Sequence, residues 1–315
     1  MAKPFDSFNM NQRLGRGVNI IGYDPLWQAR QRGRMQAKHF RLIHEAGFNH
    51  VRINLHPFKA MQDDPPYTIH PAWLETLDWA VDQSLGNSLL AVLDLHEFIA
   101  LGEDPAGLKP KYLAAWRQLA QRYQHAPETV LFELLNEPNK ALTPQLWNTY
   151  LQEPYDLVRQ TNPERTLIIG PAFWNGIDYL AQLELPEVDR GLIVTVHYYH
   201  PMPFTHQGAA WTEYVDRLGV HWMGAPEEQQ AVINDLTKAQ VWAERHHRPL
   251  YLGEFGAYDK GDMDSRVRYT SFVARQAESL GWSWAYWQFD SDFLAYDIPA
   301  DHWVEPIRSA LIPGA

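Results

Sequence analysis

Eight short apolar runs, each followed by a longer segment with apolar residues at helical spacing, constrain this chain more than any other feature. The runs are Gly17-Val18-Asn19-Ile20-Ile21, His50-Val51-Arg52-Ile53-Asn54, Leu89-Leu90-Ala91-Val92-Leu93-Asp94 and Val130-Leu131-Phe132-Glu133-Leu134-Leu135 in the first half. The second half continues with Thr166-Leu167-Ile168-Ile169-Gly170, Leu192-Ile193-Val194-Thr195-Val196-His197, Pro249-Leu250-Tyr251-Leu252-Gly253 and Ser283-Trp284-Ala285-Tyr286-Trp287. Strands made almost wholly of apolar residues are buried on both faces, as in parallel sheets. The intervening segments read as helices: Leu113, Trp116, Leu119, Ala120 and Tyr123 share one face. Thr143 before Pro144 has the chemistry of a helix start, and Asp264 is the expected cap of the helix that runs toward Leu280. Eight strand-helix repeats predict an α/β fold, a (β/α)8 TIM barrel.

The 315 residues suffice for one such barrel. No low-complexity stretch or Pro/Gly/Ser-rich linker divides them, so residues 1–315 are read as one catalytic domain. A formal charge of −11 disfavours nucleic acid and anionic membrane as partners, because both reward clustered Lys and Arg. With no Cys there is no disulfide, thiolate nucleophile or Cys-based metal site. No apolar run reaches bilayer length, and the opening Met1-Ala-Lys-Pro-Phe-Asp-Ser carries no leader-type apolar segment.

In barrels of this kind active sites collect at the carboxyl ends of the strands. Arg52, His96, Asn136, Glu137, His197, Tyr199, Glu254 and Trp287 all fall late in a run or just after it. Glu137 follows the fourth run inside Asn136-Glu137-Pro138, and Glu254 follows the seventh inside Gly253-Glu254-Phe255-Gly256. Two carboxyls brought from separate strand ends to one cleft are what retaining cleavage of a glycosidic bond needs: one protonates the leaving oxygen, and the other, about 5–5.5 Å away, attacks the anomeric carbon.

The residues around them suit that chemistry. The Asn136 amide offers a hydrogen bond to a sugar 2-hydroxyl. Arg52 lies in a run that otherwise reads as buried, so its guanidinium needs a carboxylate; Glu254 is the expected partner, with a purely structural ion pair as the alternative. The Tyr199 hydroxyl would help keep Glu254 ionised while Glu137 holds a proton. His96 and His197 would bind sugar hydroxyls or tune Glu137, or else serve as satisfied core histidines. Trp287 would floor the cleft or plug the barrel. Trp27, Trp174, Trp211 and Trp222 fall in loops after strands and are candidates for outer sugar subsites, against simple packing.

Metal chemistry is not expected. His96-Glu97, His44-Glu45 and His246-His247 lack the His-Glu-x-x-His spacing of zinc proteases, and there is neither a Gly-rich phosphate loop nor a Gly-x-Ser-x-Gly elbow. Asp63-Asp64-Pro65-Pro66 reads as a loop.

From Arg16-Gly17-Val18-Asn19 through Val51-Arg52-Ile53-Asn54, Asp94-Leu95-His96, Asn136-Glu137-Pro138, His197-Tyr198-Tyr199 and Gly253-Glu254-Phe255-Gly256 to Trp287, the chain resembles glycoside hydrolase family 5, the cellulase family of the barrel clan of retaining glycosidases. The resemblance covers nearly the whole chain. It implies Glu137 as acid/base, Glu254 as nucleophile, and Arg52, His96, Asn136, His197, Tyr199 and Trp287 around them, with double displacement, net retention and no cofactor. It further implies a β-linked polysaccharide or oligosaccharide as substrate, β-1,4-glucan first and β-mannan or xyloglucan as rivals, and secretion or a periplasmic site, with any leader absent from this sequence; a monomer is expected. A cytoplasmic site, a transglycosylase and a catalytically silent carbohydrate-binding barrel stay open as alternatives. The loops, among them the stretch from His200 to Pro226, carry none of the motifs behind the resemblance.

Overall fold

The computed structural model describes residues 6–314; Met1–Phe5, most of the segment read above for a leader, and Ala315 lie outside the described residues. All eight apolar runs are strands: β1 (Arg16–Ile20), β2 (His50–Leu55), β3 (Leu90–Leu95), β4 (Val130–Glu133), β5 (Leu167–Ile169), β6 (Leu192–Tyr198), β7 (Leu250–Phe255) and β8 (Ser283–Tyr286). They pair in parallel and in sequence order, and β8 closes on β1 to complete a barrel. Helices such as Pro71–Gly86, Pro105–Arg122, Pro144–Thr161, Pro226–His246 and Met263–Ser279 wrap the outside.

Side chains on a strand alternate between its two faces. Residues such as Val51, Ile53, Ala91, Leu93, Phe132 and Val194 face outward and form the large apolar layer beneath the helices. A second, smaller cluster fills the barrel interior: Leu90, Val92, Leu131, Ile168, Ile193, Tyr251 and Ala285 pack with Met10 and Leu14 of the helix Ser7–Leu14. That helix, capped by the Asp6 carboxylate, closes the end of the barrel where the strands begin. The interior face therefore changes character along the axis. On β2 it runs His50, Arg52, Asn54; on β3 Leu90, Val92, Asp94; on β4 Leu131, Glu133. Apolar packing occupies one end, and charge is gathered toward the carboxyl ends.

Helix starts follow local chemistry. The Thr143 hydroxyl accepts from the Leu146 amide and Pro144 opens that helix. For the helix Met263–Ser279 the expected cap is corrected: Asp262, not Asp264, accepts from the Ser265 amide at 2.9 Å. Asp262 is the residue with extended backbone immediately before the helix, and Asp264 instead lies in the first turn, where its charge complements the helix dipole. Asp63–Pro66 is a loop. Among the described residues no helix is long and apolar enough to cross a membrane.

Candidate active site

Parallel register delivers a row of polar side chains to one level of the barrel. Asn54 pairs with Asp94, Asp94 with Glu133, and His197 with Glu254. Arg52, fully buried at their centre, uses every face of its guanidinium. Nε and Nη2 clamp the two oxygens of Glu133 at 2.7 and 2.8 Å, Nη1 donates to Asn19 Oδ1 at 2.8 Å and to Glu254 Oε1 at 2.7 Å, and Nη2 also donates to Asn136 Oδ1 at 2.8 Å. Asp94 Oδ2 lies 3.1 Å from Nη2. The Tyr199 hydroxyl donates to Glu254 Oε2 at 2.9 Å. Glu254 is thus gripped through both oxygens.

Glu137 stands across from it. Its backbone has φ of 40°, a left-handed conformation that costs a non-glycine residue on the order of 1–3 kcal/mol and is held only where the surroundings over-determine it. His197 Nδ1 is 2.7 Å from Glu137 Oε1 and 3.6 Å from Glu254 Oε2, so one imidazole nitrogen touches both acids. An oxygen of each carboxyl and that nitrogen all lie within 4.8 Å of one another.

His96 donates from Nδ1 to Asp94 Oδ2 at 2.6 Å, and its Nε2 faces the Asn136 amide at 3.4 Å. Its ring is stacked on Trp287, centroids 5.6 Å apart and planes 6° from parallel. Burial, reinforced by Arg52, holds both His96 and His197 well below the ordinary histidine range, so both rings are neutral.

Burial also pushes the carboxyls up. Glu137 is raised well above the usual carboxyl range by burial and then by the charge of Glu254. Glu254 is raised by burial, to about 7, against the opposing pull of Arg52 and the Tyr199 hydrogen bond. The two titrate as a pair, and the donors on Glu254 make it the first to lose its proton. Stability consequences have a definite sign. Because folding raises the Glu137 pKa, the folded protein holds more protons than the unfolded chain above the ordinary carboxyl value, and stability is lost as pH rises through that interval. Glu137→Gln removes this loss. Its melting temperature should match the parent near pH 4.5 and exceed it increasingly toward pH 8, by a few degrees; an advantage that shrinks with rising pH would contradict the assignment.

The structure brings Arg52, His96, Asn136, Glu137, His197, Tyr199, Glu254 and Trp287 into one connected group. The outer tryptophans divide. Trp174 and Trp211 are 44% and 56% exposed, each with an aromatic neighbour edge-on, Phe98 and Tyr258 respectively. Trp222 is 1% exposed and packs on Tyr269 and Phe272, so its proposed place as a sugar platform is corrected: the ring is core, because folding it against that helix removes its apolar surface from water. Trp27 is partly buried, stacked on Trp73 at 4.7 Å with its N–H donated to the Ile21 carbonyl.

Four interior groups escaped sequence reasoning: Glu133, Asp94, Asn19 and Asn54. Their signal was present, since each is a polar residue in a largely apolar strand, two positions from another inward-facing residue. Tyr23 was also missed. It lies in the loop after β1, half exposed and edge-on to both His96 and Trp287.

Comparison with known proteins agrees with this geometry. The model for Cellulase (glycosyl hydrolase family 5) matches residues 10–292. Among solved structures, Thermotoga maritima Cel5A is 39% identical with a TM-score of 0.92, covering 98% of this chain and 100% of its own; it has been solved with mannotriose and with cellobiose. Among curated proteins, Endoglucanase H of Acetivibrio thermocellus is 28% identical over 94% of this chain and 32% of its own length, and Endoglucanase C of the same organism is 27% identical over 89% and 93%. The chain spans about a third of the length of several curated relatives that it matches.

Proposed function

This chain belongs to glycosyl hydrolase family 5, and from that premise we propose that it is a retaining, endo-acting β-1,4-glucanase that works by double displacement through Glu137 and Glu254. The observation that carries the reading is that an oxygen of Glu137 and an oxygen of Glu254 lie within 4.8 Å of each other beside His197. Inverting enzymes keep their carboxyls about 6.5–9.5 Å apart to seat a water, whereas retaining enzymes need about 5–5.5 Å.

In this mechanism Glu254, kept anionic by Arg52 and Tyr199, attacks the anomeric carbon, while Glu137 passes its proton to the departing glycosidic oxygen. A covalent glycosyl ester on Glu254 results. Glu137, now ionised, removes a proton from water, which attacks the anomeric carbon, displaces the Glu254 carboxylate and releases a sugar of unchanged configuration. Asn136, oriented by its bond from Arg52, points its amide N–H at the sugar 2-hydroxyl, and the His96-Trp287 stack and Tyr23 bound the apolar floor. The domain comprises the whole of residues 1–315, acts on a β-linked polysaccharide outside the cytoplasm, works as a monomer, and uses no cofactor.

β-Mannan is the second substrate reading, favoured by the mannotriose complex of a protein 39% identical to this one. Proton NMR of freshly cleaved cello-oligosaccharides should show the β-anomer first, and initial rates should be higher on barley glucan than on mannan or xyloglucan. An α-anomer first would refute retention, faster mannan cleavage would reassign the substrate, and binding without turnover would indicate a silent carbohydrate-binding barrel.

A further inference from the structure

We propose that Asn175 is a positioning residue for the acid step: its side-chain amide fixes the tautomer of His197 so that the ring N–H holds Glu137 Oε1 and leaves Oε2 to carry the acid proton. The inference rests on Glu137 being the acid/base. Asn175 is fully buried, and its Nδ2 lies 3.2 Å from His197 Nε2, on the side of the ring away from Glu137. An amide nitrogen only donates. A neutral imidazole has a single N–H, so with Nε2 accepting from Asn175 the proton must sit on Nδ1, where it donates to Glu137 Oε1 at 2.7 Å.

The backbone around Asn175 is built for this at a cost. Phe173, Trp174 and Asn175 have φ of 52°, 64° and 51°, three left-handed residues in succession. Such a conformation is strained for a non-glycine residue, and Asn is the one of the three that tolerates it well. The turn is tied to the acid's own loop, because the Trp174 amide donates to the Pro138 carbonyl at 3.2 Å. Two glycines make the space: a Cβ at Gly170 would lie 2.1 Å from Asn175 Oδ1, and one at Gly253 would lie 3.0 Å from His197 Nε2.

The choice of an amide is informative beside His96, whose tautomer is set by the Asp94 carboxylate. A carboxylate behind His197 would instead accept a proton from Nε2. That would leave Nδ1 either as a lone pair taking the proton of Glu137 or as part of an imidazolium, and either state would deprive the acid of its proton. An uncharged donor avoids both.

The test compares kcat/KM on two substrates of different leaving group, an underivatised cello-oligosaccharide whose departure needs a proton and a dinitrophenyl β-cellobioside whose departure does not. Glu137→Gln serves as the reference. Asn175→Ala and Asn175→Asp should each lose at least about tenfold on the oligosaccharide, part of the 10²–10⁴-fold contribution of general acid catalysis, and less than about threefold on the aryl substrate. Imidazole nitrogen NMR of the parent should show His197 protonated on Nδ1, and Asn175→Asp should shift the proton to Nε2 or to both nitrogens. Equal losses on both substrates, no loss on either, or a parent ring protonated on Nε2 would overturn the proposal. If Glu137→Gln itself shows no dependence on the leaving group, the acid assignment fails; if it does and the Asn175 variants do not, only the role of Asn175 fails.

Discussion

Glu254→Ala should lose on the order of 10⁵-fold in kcat/KM on β-glucan, a loss of the size seen when a covalent nucleophile is removed, while melting within a few degrees of the parent. No other group can substitute. Glu133 and Asp94, the nearest remaining acids in the network, are fully buried beneath Arg52 and committed to it, and Glu137 is held by His197. The fold survives because burial raises the Glu254 pKa: a charge that is costly to keep inside is being deleted, and Arg52 retains its two-oxygen clamp on Glu133. Substantial residual cleavage by the purified variant would indicate that the attacking group lies elsewhere.

Arg52→Met should be the most damaging single change to stability, about 3–5 kcal/mol, because breaking a buried ionic cluster leaves its anions without compensation. Arg52 is the cation that offsets the burial of Asp94, Glu133 and Glu254, in each of which burial raises the pKa and Arg52 lowers it. Without it the folded-state values climb further, the folded protein holds still more protons than the unfolded chain, and stability falls more steeply as pH rises. Denaturant titrations at pH 5 and pH 8 should therefore show a larger deficit at pH 8. A variant equally stable at both would mean that the acids find other partners.

The barrel was legible because each strand is buried on both faces, so its hydrophobicity survives in the sequence without any knowledge of its neighbours. Placement of the site followed from the same fact: in runs this apolar, Arg52, His197 and Glu254 stand out. Glu133 and Asp94 were equally visible as letters, but their role depends on register, and only the pairing of Asn54 with Asp94 and of Asp94 with Glu133 puts them around one guanidinium. The tryptophans show the opposite limit. Trp211 and Trp222 lie in one loop, yet the first is exposed and the second is core, a difference decided by Tyr269 and Phe272 far along the chain. Asn175 was illegible for a similar reason, since nothing in Phe173-Trp174-Asn175 announces three left-handed residues or an imidazole 22 positions away.

The division of labour between the two carboxyls is tested most directly by the configuration of the sugar azide that each alanine variant makes from an activated aryl β-cellobioside in added azide. Glu254→Ala should give the α-azide, with the anion entering from the side the nucleophile has vacated, and Glu137→Ala should give the β-azide by attack on the glycosyl ester that Glu254 still forms. A β-azide from Glu254→Ala would contradict the account.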